Sequence, residues 1–301
     1  MKKGAPEMLE HYTMGRRAFL ACNYFFLACL AILCILPIIH VLAISFSSSS
    51  AAQAGYVKLW PVEATLASYK YVLQKKAFFD SLLVTLQRVG IGLPVNMLLT
   101  VLIAYPLSKD PRRFGLRTIY VWIFVITMLF SGGLIPLYMI IKYTGIMDSI
   151  WALVLPGAVP IFNVILMLNF FRNLPKALEE AAFIDGAGHW TTLWRIFIPL
   201  SLPSLATVTL FAAVNHWNSW FDGLIFMNSP THYPLQSYLQ TVVINRDLSL
   251  VSSGDISSFS EINERTSKAA QIFLGALPIL LVYPLLQRFF MKGIVLGSVK
   301  E

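Results

Sequence analysis

The sequence predicts an all-α membrane protein with six transmembrane helices, and three observations support this fold class. Of the 301 residues, 57% are hydrophobic and only 13% are charged, about half the charged share of an ordinary soluble domain. Six stretches stay apolar over the roughly 20 residues that a bilayer crossing needs. Lysine and arginine are distributed unevenly between the connecting segments. We therefore expect one transmembrane domain that crosses the membrane repeatedly.

The six predicted spans are joined by one long connection on one side and two long loops on the other. The spans cover residues 18–45, 81–107, 116–141, 150–171, 200–227 and 269–291. Residues 172–199, called here the 172–199 connection, lie before the fifth span. The loops on the opposite side cover residues 46–80 and 228–268, and the second contains SLVSSGDISSFS. Such a serine-rich stretch predicts an exposed, irregular segment.

The orientation of the chain follows from its positive charges, which concentrate in cytoplasmic segments of membrane proteins. Fourteen of the 23 lysines and arginines lie on the side of both termini, eight lie on the opposite side, and Arg88 lies within a span. Both termini and the 172–199 connection are therefore expected in the cytoplasm. This topology accounts for the formal net charge of +8, so no nucleic-acid partner is expected.

The 172–199 connection places acidic residues and glycines between two apolar stretches. Its sequence LEEAAFIDGAGHWTTLWRIFIPLSLP, which begins at Leu178, predicts two short helices that meet at an elbow. Leucine and alanine recur at helical spacing on the first helix, and Gly186 permits the backbone to reverse. The second helix is expected from Trp190 to Phe197. From these residues alone, a helix lying on the membrane surface explains the segment equally well.

The same segment resembles the E-A-A-x-x-D-G-A-x8-I-x-x-P-x-x-x-P signature of the permease subunits of ABC-type importers. The matching residues are Glu180, Ala181, Ala182, Asp185, Gly186, Ala187, Ile196, Pro199 and Pro203. The stretches IAYPLSKD, WNSWFDGLIF and LPILLVYPLLQRFFMKGIVLGSVKE are similar to the carbohydrate-uptake branch of that family. Within the branch, the chain is similar to the smaller permease of importers for complex polysaccharides and uronate oligosaccharides, the alginate importer among them.

The resemblance implies a type I ABC importer permease fold in the bacterial plasma membrane and a function in oligosaccharide uptake. An acidic substrate derived from alginate or pectin remains open. In such importers the signature forms a coupling helix that enters a cleft on a separate ATPase subunit. The residues expected to couple to the ATPase are Glu179, Glu180, Ala181, Ala182, Asp185, Gly186 and Ala187.

The resemblance also implies a set of partners and no enzymatic activity for this chain. The partners are a second, homologous but different permease, two ATPase subunits, an extracytoplasmic sugar-binding protein, an oligosaccharide and membrane lipid. ATP and Mg are expected on the ATPase subunits and no cofactor on this chain, whose sequence lacks the G-x-x-x-x-G-K-[ST] phosphate loop. Tyr238 and Gln240, in the amphipathic stretch YPLQSYLQTVVI, are expected to contact the binding protein.

Polar residues at membrane depth predict the substrate path, because lipid cannot satisfy their hydrogen bonds. On a continuous fifth helix, the polar residues from Asn215 to Asp222 would share about 100° of one face, although packing between subunits explains them equally well. Pro156, Gly157 and Pro160 predict a broken fourth span, and broken spans often mark substrate paths. The predicted path residues are Arg88, Asn163, Phe211, Asn215, Asn218, Ser219 and Asp222.

Arg88 has two alternative roles. It is expected either to pair with a carboxylate, with Asp222 as a candidate, or to meet an anionic sugar.

Three other functions would each leave a recognisable sign in the sequence. An importer of another solute would share the signature, and a self-sufficient secondary carrier would show an internal repeat and an embedded ion site, neither of which is evident in the sequence. An intramembrane enzyme would need a catalytic or metal-ligand pattern, and none is evident either.

Overall fold

The structure is a computed structural model that describes residues 14–244 and 264–298. The described residues form helices and irregular segments and contain no strand. The chain divides into two compact units, Met1–Lys70 with Gly254–Phe273 and Tyr71–Ser253 with Leu274–Glu301. The serine-rich stretch at residues 249–260, which was predicted to be irregular, lies outside the described residues.

Fifteen α-helices are described. They are α1 (Met14–Ser45), α2 (Ser49–Gln53), α3 (Ala67–Gln74), α4 (Lys76–Ser108), α5 (Arg117–Leu129), α6 (Leu134–Tyr143), α7 (Ile150–Val154), α8 (Ile161–Asn173), α9 (Lys176–Ile184), α10 (His189–Thr192), α11 (Ile198–Leu200), α12 (Leu202–Asn218), α13 (Phe221–Phe226), α14 (Leu235–Ile244) and α15 (Glu264–Ser298). Short 3₁₀ turns occur at Leu155–Gly157 and Pro230–His232, and a π-helical turn at Leu193–Phe197.

By length and composition, three described segments can each cross a membrane: α1, α4 and the Glu264–Pro284 part of α15. Three more crossings are available only if each of three bent helix pairs counts as one span. The protein is therefore a multi-pass helical membrane protein, and three pairs of its described helices are bent sharply where they meet.

The bent pairs refine the predicted spans. The predicted third span, 116–141, is not continuous, because α5 and α6 meet at 111° across Ser131, Gly132 and Gly133, and Gly133 has a φ of 88°. The predicted break of the fourth span is confirmed, with 47° between Ile150–Gly157 and Ile161–Asn173. The physical cause is Pro160, which has no N–H to donate to a helical ladder.

The predicted fifth span, 200–227, is not one continuous helix in its C-terminal part. Helix α12 ends at Asn218, Ser219 is extended with a ψ of 124°, and α13 begins at Phe221. Serine, asparagine and aspartate bond locally to the backbone and so favour helix ends. Here Asp222 Oδ1 accepts hydrogen bonds from the Ser219 hydroxyl and from the Gly223 N–H, both at 2.9 Å.

The core of the second unit lies around α4, which packs against α8, α12 and α14. One buried apolar cluster joins the C-terminal half of α4 to α8, the π-helical turn and α12. Its members are Val101, Ala104, Tyr105, Leu107, Val164, Met167, Leu168, Phe171, Leu193, Phe197 and Val208. This packing holds the start of the fifth span and the end of the fourth against a single long helix.

In the first unit, a small core lies where the C-terminal end of α1 meets α2. Ala43, Ile44, Ala51, Ala52 and Val57 are buried there together with Ala269. The Ser48 hydroxyl caps α2 by accepting a hydrogen bond from the Ala51 N–H at 3.3 Å, as serine commonly does at helix starts.

Candidate functional sites

The 172–199 connection forms the predicted elbow. Helix α9 ends where Gly186 takes a φ of 81°. The Gly186 N–H donates to the Phe183 carbonyl at 3.1 Å, and the Ala187 N–H donates to the Ala182 carbonyl at 2.9 Å. These two hydrogen bonds are those of a Schellman motif at a helix C-terminus. The second helix extends further than predicted, from His189 to Leu200, and then bends by 83° into α12.

The predicted coupling residues divide into two groups by exposure. Glu180, Ala181, Asp185 and Gly186 are exposed, and Ala187 is half-buried. Ala182 is buried, and the Glu179 side chain is only 11% exposed. Glu179 and Ala182 therefore face the body of the chain in this structure, and the coupling role expected for the seven residues stays a prediction.

Glu179 instead joins two cations from the segment that follows α4. Its Oε2 lies 3.0 Å from Lys109 Nζ and its Oε1 lies 3.1 Å from Arg113 Nη1. We call these three residues the latch. The Lys109 side chain is 8% exposed, whereas that of Arg113 is 48% exposed, so the Lys109–Glu179 contact is the buried half of the latch.

The Lys109 ammonium also lies over two aromatic rings. Its Nζ is 3.9 Å from the centre of the Tyr105 ring and 4.1 Å from that of Phe197, distances at which cation–π attraction operates. The two rings meet edge to face at 5.1 Å. Burial lowers the pKa of Lys109, and the Glu179 carboxylate opposes that shift. The contact thus joins α4, α9 and the π-helical turn at one point.

A second buried group of polar residues, called here the polar cluster, comprises Arg88, Asn96, His216, Ser219 and Asp222. Arg88 forms a two-pronged ion pair with Asp222: Nη1 donates to Oδ1 at 3.1 Å, and Nη2 donates to Oδ2. The predicted pairing of Arg88 with Asp222 is therefore present. The remaining guanidinium donors point to His216 Nδ1 at 3.5 Å and to the carbonyls of Ser219 and Leu153 at 3.5 and 3.4 Å.

Asn96 extends the polar cluster to the break in the fourth span. Its amide nitrogen donates to the carbonyls of Gly157 and Ala158, both at 2.9 Å, and its oxygen lies 2.8 Å from His216 Nε2. These contacts assign a neutral His216, protonated at Nε2, because Nδ1 must accept from Arg88. The polar cluster therefore satisfies carbonyls at the interruption between α7 and α8 and at the end of α12.

Two of the predicted path residues, Arg88 and Asn163, are buried in this structure. Arg88 is 3% exposed and Asn163 is 4% exposed, so neither side chain is accessible to a solute in this structure. Ser219 and Asp222 are half-buried and face Arg88. The shared helical face predicted for Asn215 through Asp222 is absent, because α12 ends between them.

The accessible part of the predicted path is a strip on α12. Phe211, Asn215 and Asn218 are exposed and lie within about 60° of one another around the helix at 100° per residue. We call these three residues the exposed strip. The Phe162 ring, 55% exposed on α8, lies 6.3 Å from the Phe211 ring. Two aromatic rings and two amides are thus close together on one surface.

The predicted contacts with a binding protein are only partly accessible. The stretch YPLQSYLQTVVI does form a helix, α14. Tyr238 is 7% exposed and Gln240 is half-buried, so Tyr238 is not accessible in this structure, and the contact expected for both residues stays a prediction. Tyr238 and Leu235 lie on the buried side of this helix, and the Leu235 N–H donates to the Thr85 hydroxyl at 2.7 Å. Burial raises the pKa of Tyr238 to about 12.

Sequence reasoning missed Phe162, Lys109, Asn96 and His216. A polar residue within a span was the signal for both Asn96 and His216. Lys109 entered the prediction only as one of the positive charges that set the membrane orientation. In the fourth span, the polar Asn163 was chosen as a path residue and its aromatic neighbour Phe162 was not. Within the described residues, no group of three His, Cys, Asp or Glu side chains is placed to hold a metal ion.

Interrupted apolar helices, with an exposed two-helix elbow between α8 and α12, are the features that we expect of a membrane transport subunit. Residues 64–295 match the family described as the binding-protein-dependent transport system inner membrane component. The match covers most of the chain, and the chain belongs to this family of importer permeases.

Individual relatives cover nearly the whole chain. The polygalacturonan/rhamnogalacturonan transport system permease protein YtcP of Bacillus subtilis is 40% identical over 95% of this chain and 100% of its own length. The maltodextrin transport system permease protein MdxG of the same organism is 25% identical over 93% and 95%. A chain of the solved bacterial ABC transporter involved in import of the acidic polysaccharide alginate superposes with a TM-score of 0.86 and 31% identity, over 93% of this chain and 99% of that chain.

Proposed function

We propose that this chain is one of two permease subunits of an ATP-driven oligosaccharide importer in a bacterial plasma membrane. Its helices cross the membrane as six spans with both termini in the cytoplasm. The spans are α1, α4, the pair α5 and α6, the pair α7 and α8, α12 with α13, and α15. The fourteen-to-eight distribution of positive charges supports this orientation. The loops at 46–80 and 228–268 are then extracytoplasmic, and the 172–199 connection and the latch are cytoplasmic.

In this proposal, the elbow at Gly186 enters an ATPase subunit. Ala181, Glu180 and Asp185 are exposed there, so a partner can approach a small residue between two carboxylates. Two ATPase subunits bind ATP and Mg and drive the permease pair. A homologous but different permease completes the pore, and an extracytoplasmic binding protein delivers the sugar, with Gln240 as a contact.

The observation that carries the substrate class is the exposed strip with Phe162 beside it. Aromatic rings give sugars an apolar surface for their C–H faces, and the Asn215 and Asn218 amides can donate to and accept from hydroxyl groups. A polar helix face at membrane depth requires water, protein or substrate against it. The strip is therefore proposed to line the translocation path.

An acidic oligosaccharide is favoured over a neutral one by the relatives. The relative at 40% identity is named for polygalacturonan and rhamnogalacturonan, and the structural neighbour at 31% for alginate, whereas the maltodextrin permease is 25% identical. Arg88 is not proposed as the group that recognises the acid, because Asp222 already neutralises it. Selectivity for uronates must therefore come from other residues of the importer.

Uptake by the assembled importer in lipid vesicles tests this proposal. Phe211→Ala and Asn218→Ala are each expected to reduce trigalacturonate uptake about fivefold, since one lost hydrogen bond or ring contact is worth about 1 kcal/mol. The matched control is Leu202→Ala, because Leu202 is 59% exposed on the opposite side of α12. Equal uptake by all three variants would exclude the strip from the path, and faster import of maltotriose by the parent would overturn the acidic preference.

A further inference from the structure

The latch connects the 172–199 connection to the helix that supports both breaks. Glu179 lies in α9, and Lys109 immediately follows α4. The same α4 carries Arg88 and Asn96, which bond to carbonyls at the two interruptions of the fourth and fifth spans. A displacement of α9 that is transmitted to Lys109 is therefore transmitted to α4, whose side chains bond to the backbone at both breaks.

The latch is the buried connection between these two segments, and a second, exposed ion pair lies beside it. Lys176 Nζ, at the start of α9, is 3.0 Å from Asp110 Oδ2, and these side chains are 72% and 58% exposed. Exposed pairs of this kind add little because water and salt screen them. The Lys109–Glu179 pair is shielded from water and held by two rings, so it resists separation far better.

Aromatic rings packed around Lys109 restrict its movement, in addition to the attraction between Lys109 and Glu179. The Tyr105, Phe171 and Phe197 rings meet edge to face at 5.1–6.5 Å, and they belong to α4, α8 and the π-helical turn. Lys109 lies against two of these rings and against Glu179. Relative movement of α4 and α9 would have to break the buried ion pair, and relative movement of α4 and the π-helical turn would have to break the contact of Lys109 with Phe197.

We propose that Glu179 is a positioning residue for coupling: through Lys109, it makes the 172–199 connection and α4 move as one body. This role rests on the coupling function proposed above. Glu180 and Glu179 then have different tasks. Glu180 is exposed toward the ATPase subunit, and Glu179 passes the resulting displacement inward to α4.

The test measures ATP hydrolysed per trigalacturonate imported by the complete importer in vesicles, with its loaded binding protein. Glu179→Gln is expected to raise this ratio at least about tenfold, since it replaces a charge-assisted contact by a weaker neutral one. The matched control is Asp110→Asn, which removes the exposed pair between the same two segments and should keep the parent's ratio. A parent-like ratio in Glu179→Gln would overturn the proposal.

A second pair of variants distinguishes a mechanical role of the latch from a role in folding and assembly alone. Glu179→Met leaves Lys109 without its buried partner, whereas Glu179→Met combined with Lys109→Met replaces the pair by apolar side chains of similar length. Recovery of the parent's ratio in the double variant supports a mechanical role. An assembled but uncoupled double variant overturns that role, as does failure of both Glu179→Gln and the double variant to assemble, because the latch would then serve folding alone.

Failure of the proposed function has a different signature. In that case, the parent complex itself would show no hydrolysis stimulated by the binding protein and import neither trigalacturonate nor maltotriose. Glu180→Lys provides a further distinction, because it should release the ATPase subunits during size-exclusion chromatography. Glu179→Gln should retain them.

Discussion

The polar cluster and the latch are both built around a buried ion pair on the same helix, but they are constructed differently. Arg88 and Lys109 are 21 positions apart, which corresponds to about 30 Å along α4. Arg88 is surrounded by a carboxylate, a histidine and two backbone carbonyls. Lys109 is surrounded by one carboxylate and two aromatic rings.

This difference follows from the two cations. The guanidinium of arginine has five donors in a fixed fork, so it can satisfy several carbonyls left by broken helices while it pairs with Asp222. The ammonium of lysine is compact, carries its three donors on one atom and can form a cation–π interaction with an aromatic ring. The polar cluster therefore holds interrupted backbone in place, whereas the latch ties separate segments together.

The largest effect is expected from breaking the ion pair of the polar cluster. Arg88→Gln leaves Asp222 without its cation and the carbonyls of Ser219 and Leu153 without their guanidinium donors, so we expect a loss of about 3–5 kcal/mol in the free energy of unfolding. Thermal unfolding of the purified chain in detergent measures it. The double variant Arg88→Gln with Asp222→Asn should recover part of the loss, because no charge remains stranded.

The same variant tests the alternative role of Arg88. An Arg88→Gln protein that melts like the parent but loses uptake of trigalacturonate and keeps that of maltotriose would show that Arg88 meets the acidic sugar. Equal loss of both uptakes, together with a lower melting temperature, agrees with the buried position of the side chain.

An intermediate effect is expected at Gly92, where α4 lies directly against His216. A Cβ at Gly92 would lie 2.6 Å from His216 Cε1, so Gly92→Ala must displace the ring from Asn96 and Arg88. Overpacking of this kind costs about 1–3 kcal/mol. The matched control is Gly90→Ala, since a Cβ there meets nothing within 4 Å, and alanine favours the helix by up to about 1 kcal/mol. Similar melting temperatures for the two variants would contradict the close approach.

The smallest effect is expected at the exposed pair beside the latch. Its hydrogen bond with Lys176 lowers the pKa of Asp110, so any stabilisation is present above the ordinary aspartate pKa and is lost as the pH falls through the lower folded value. Asp110→Asn should leave the melting temperature nearly unchanged at pH 7. Any remaining difference from the parent should shrink at high salt, and it should shrink as the pH falls below the ordinary pKa of aspartate. A difference that does neither would have another cause.

Much of the fold could be predicted from local sequence. Apolar stretches indicated the helices, Pro160 indicated the break of the fourth span, and Gly186 indicated the elbow, because each effect depends on the residue and its immediate neighbours. The bend between α5 and α6 and the end of α12 at Asn218 were missed. Local signals were present at both places, Ser131, Gly132 and Gly133 at the first and Asn218, Ser219 and Asp222 at the second, but the apolar stretches on either side were long enough to be assigned to one span each.

The sites were less predictable than the fold. Helical spacing correctly grouped Phe211, Asn215 and Asn218 on one face, and charge balance correctly suggested the pairing of Arg88 with Asp222. Glu179 was expected to couple to the ATPase and Tyr238 to contact a binding protein, and neither expectation indicated that the side chain is buried. Their burial depends on residues far away in the chain, Lys109 for Glu179 and the packing of α14 on α4 for Tyr238.

By itself, the sequence determined the class of protein, the approximate spans, the elbow and the signature of the importer permeases, since these depend on composition and on short spacings. The tertiary structure alone decided which polar side chains are accessible. Arg88 and Glu179 look like functional charges in the sequence, but each lies against a partner more than 60 positions away. Burial and pairing are properties of packed helices, and packing brings together residues that local sequence cannot relate.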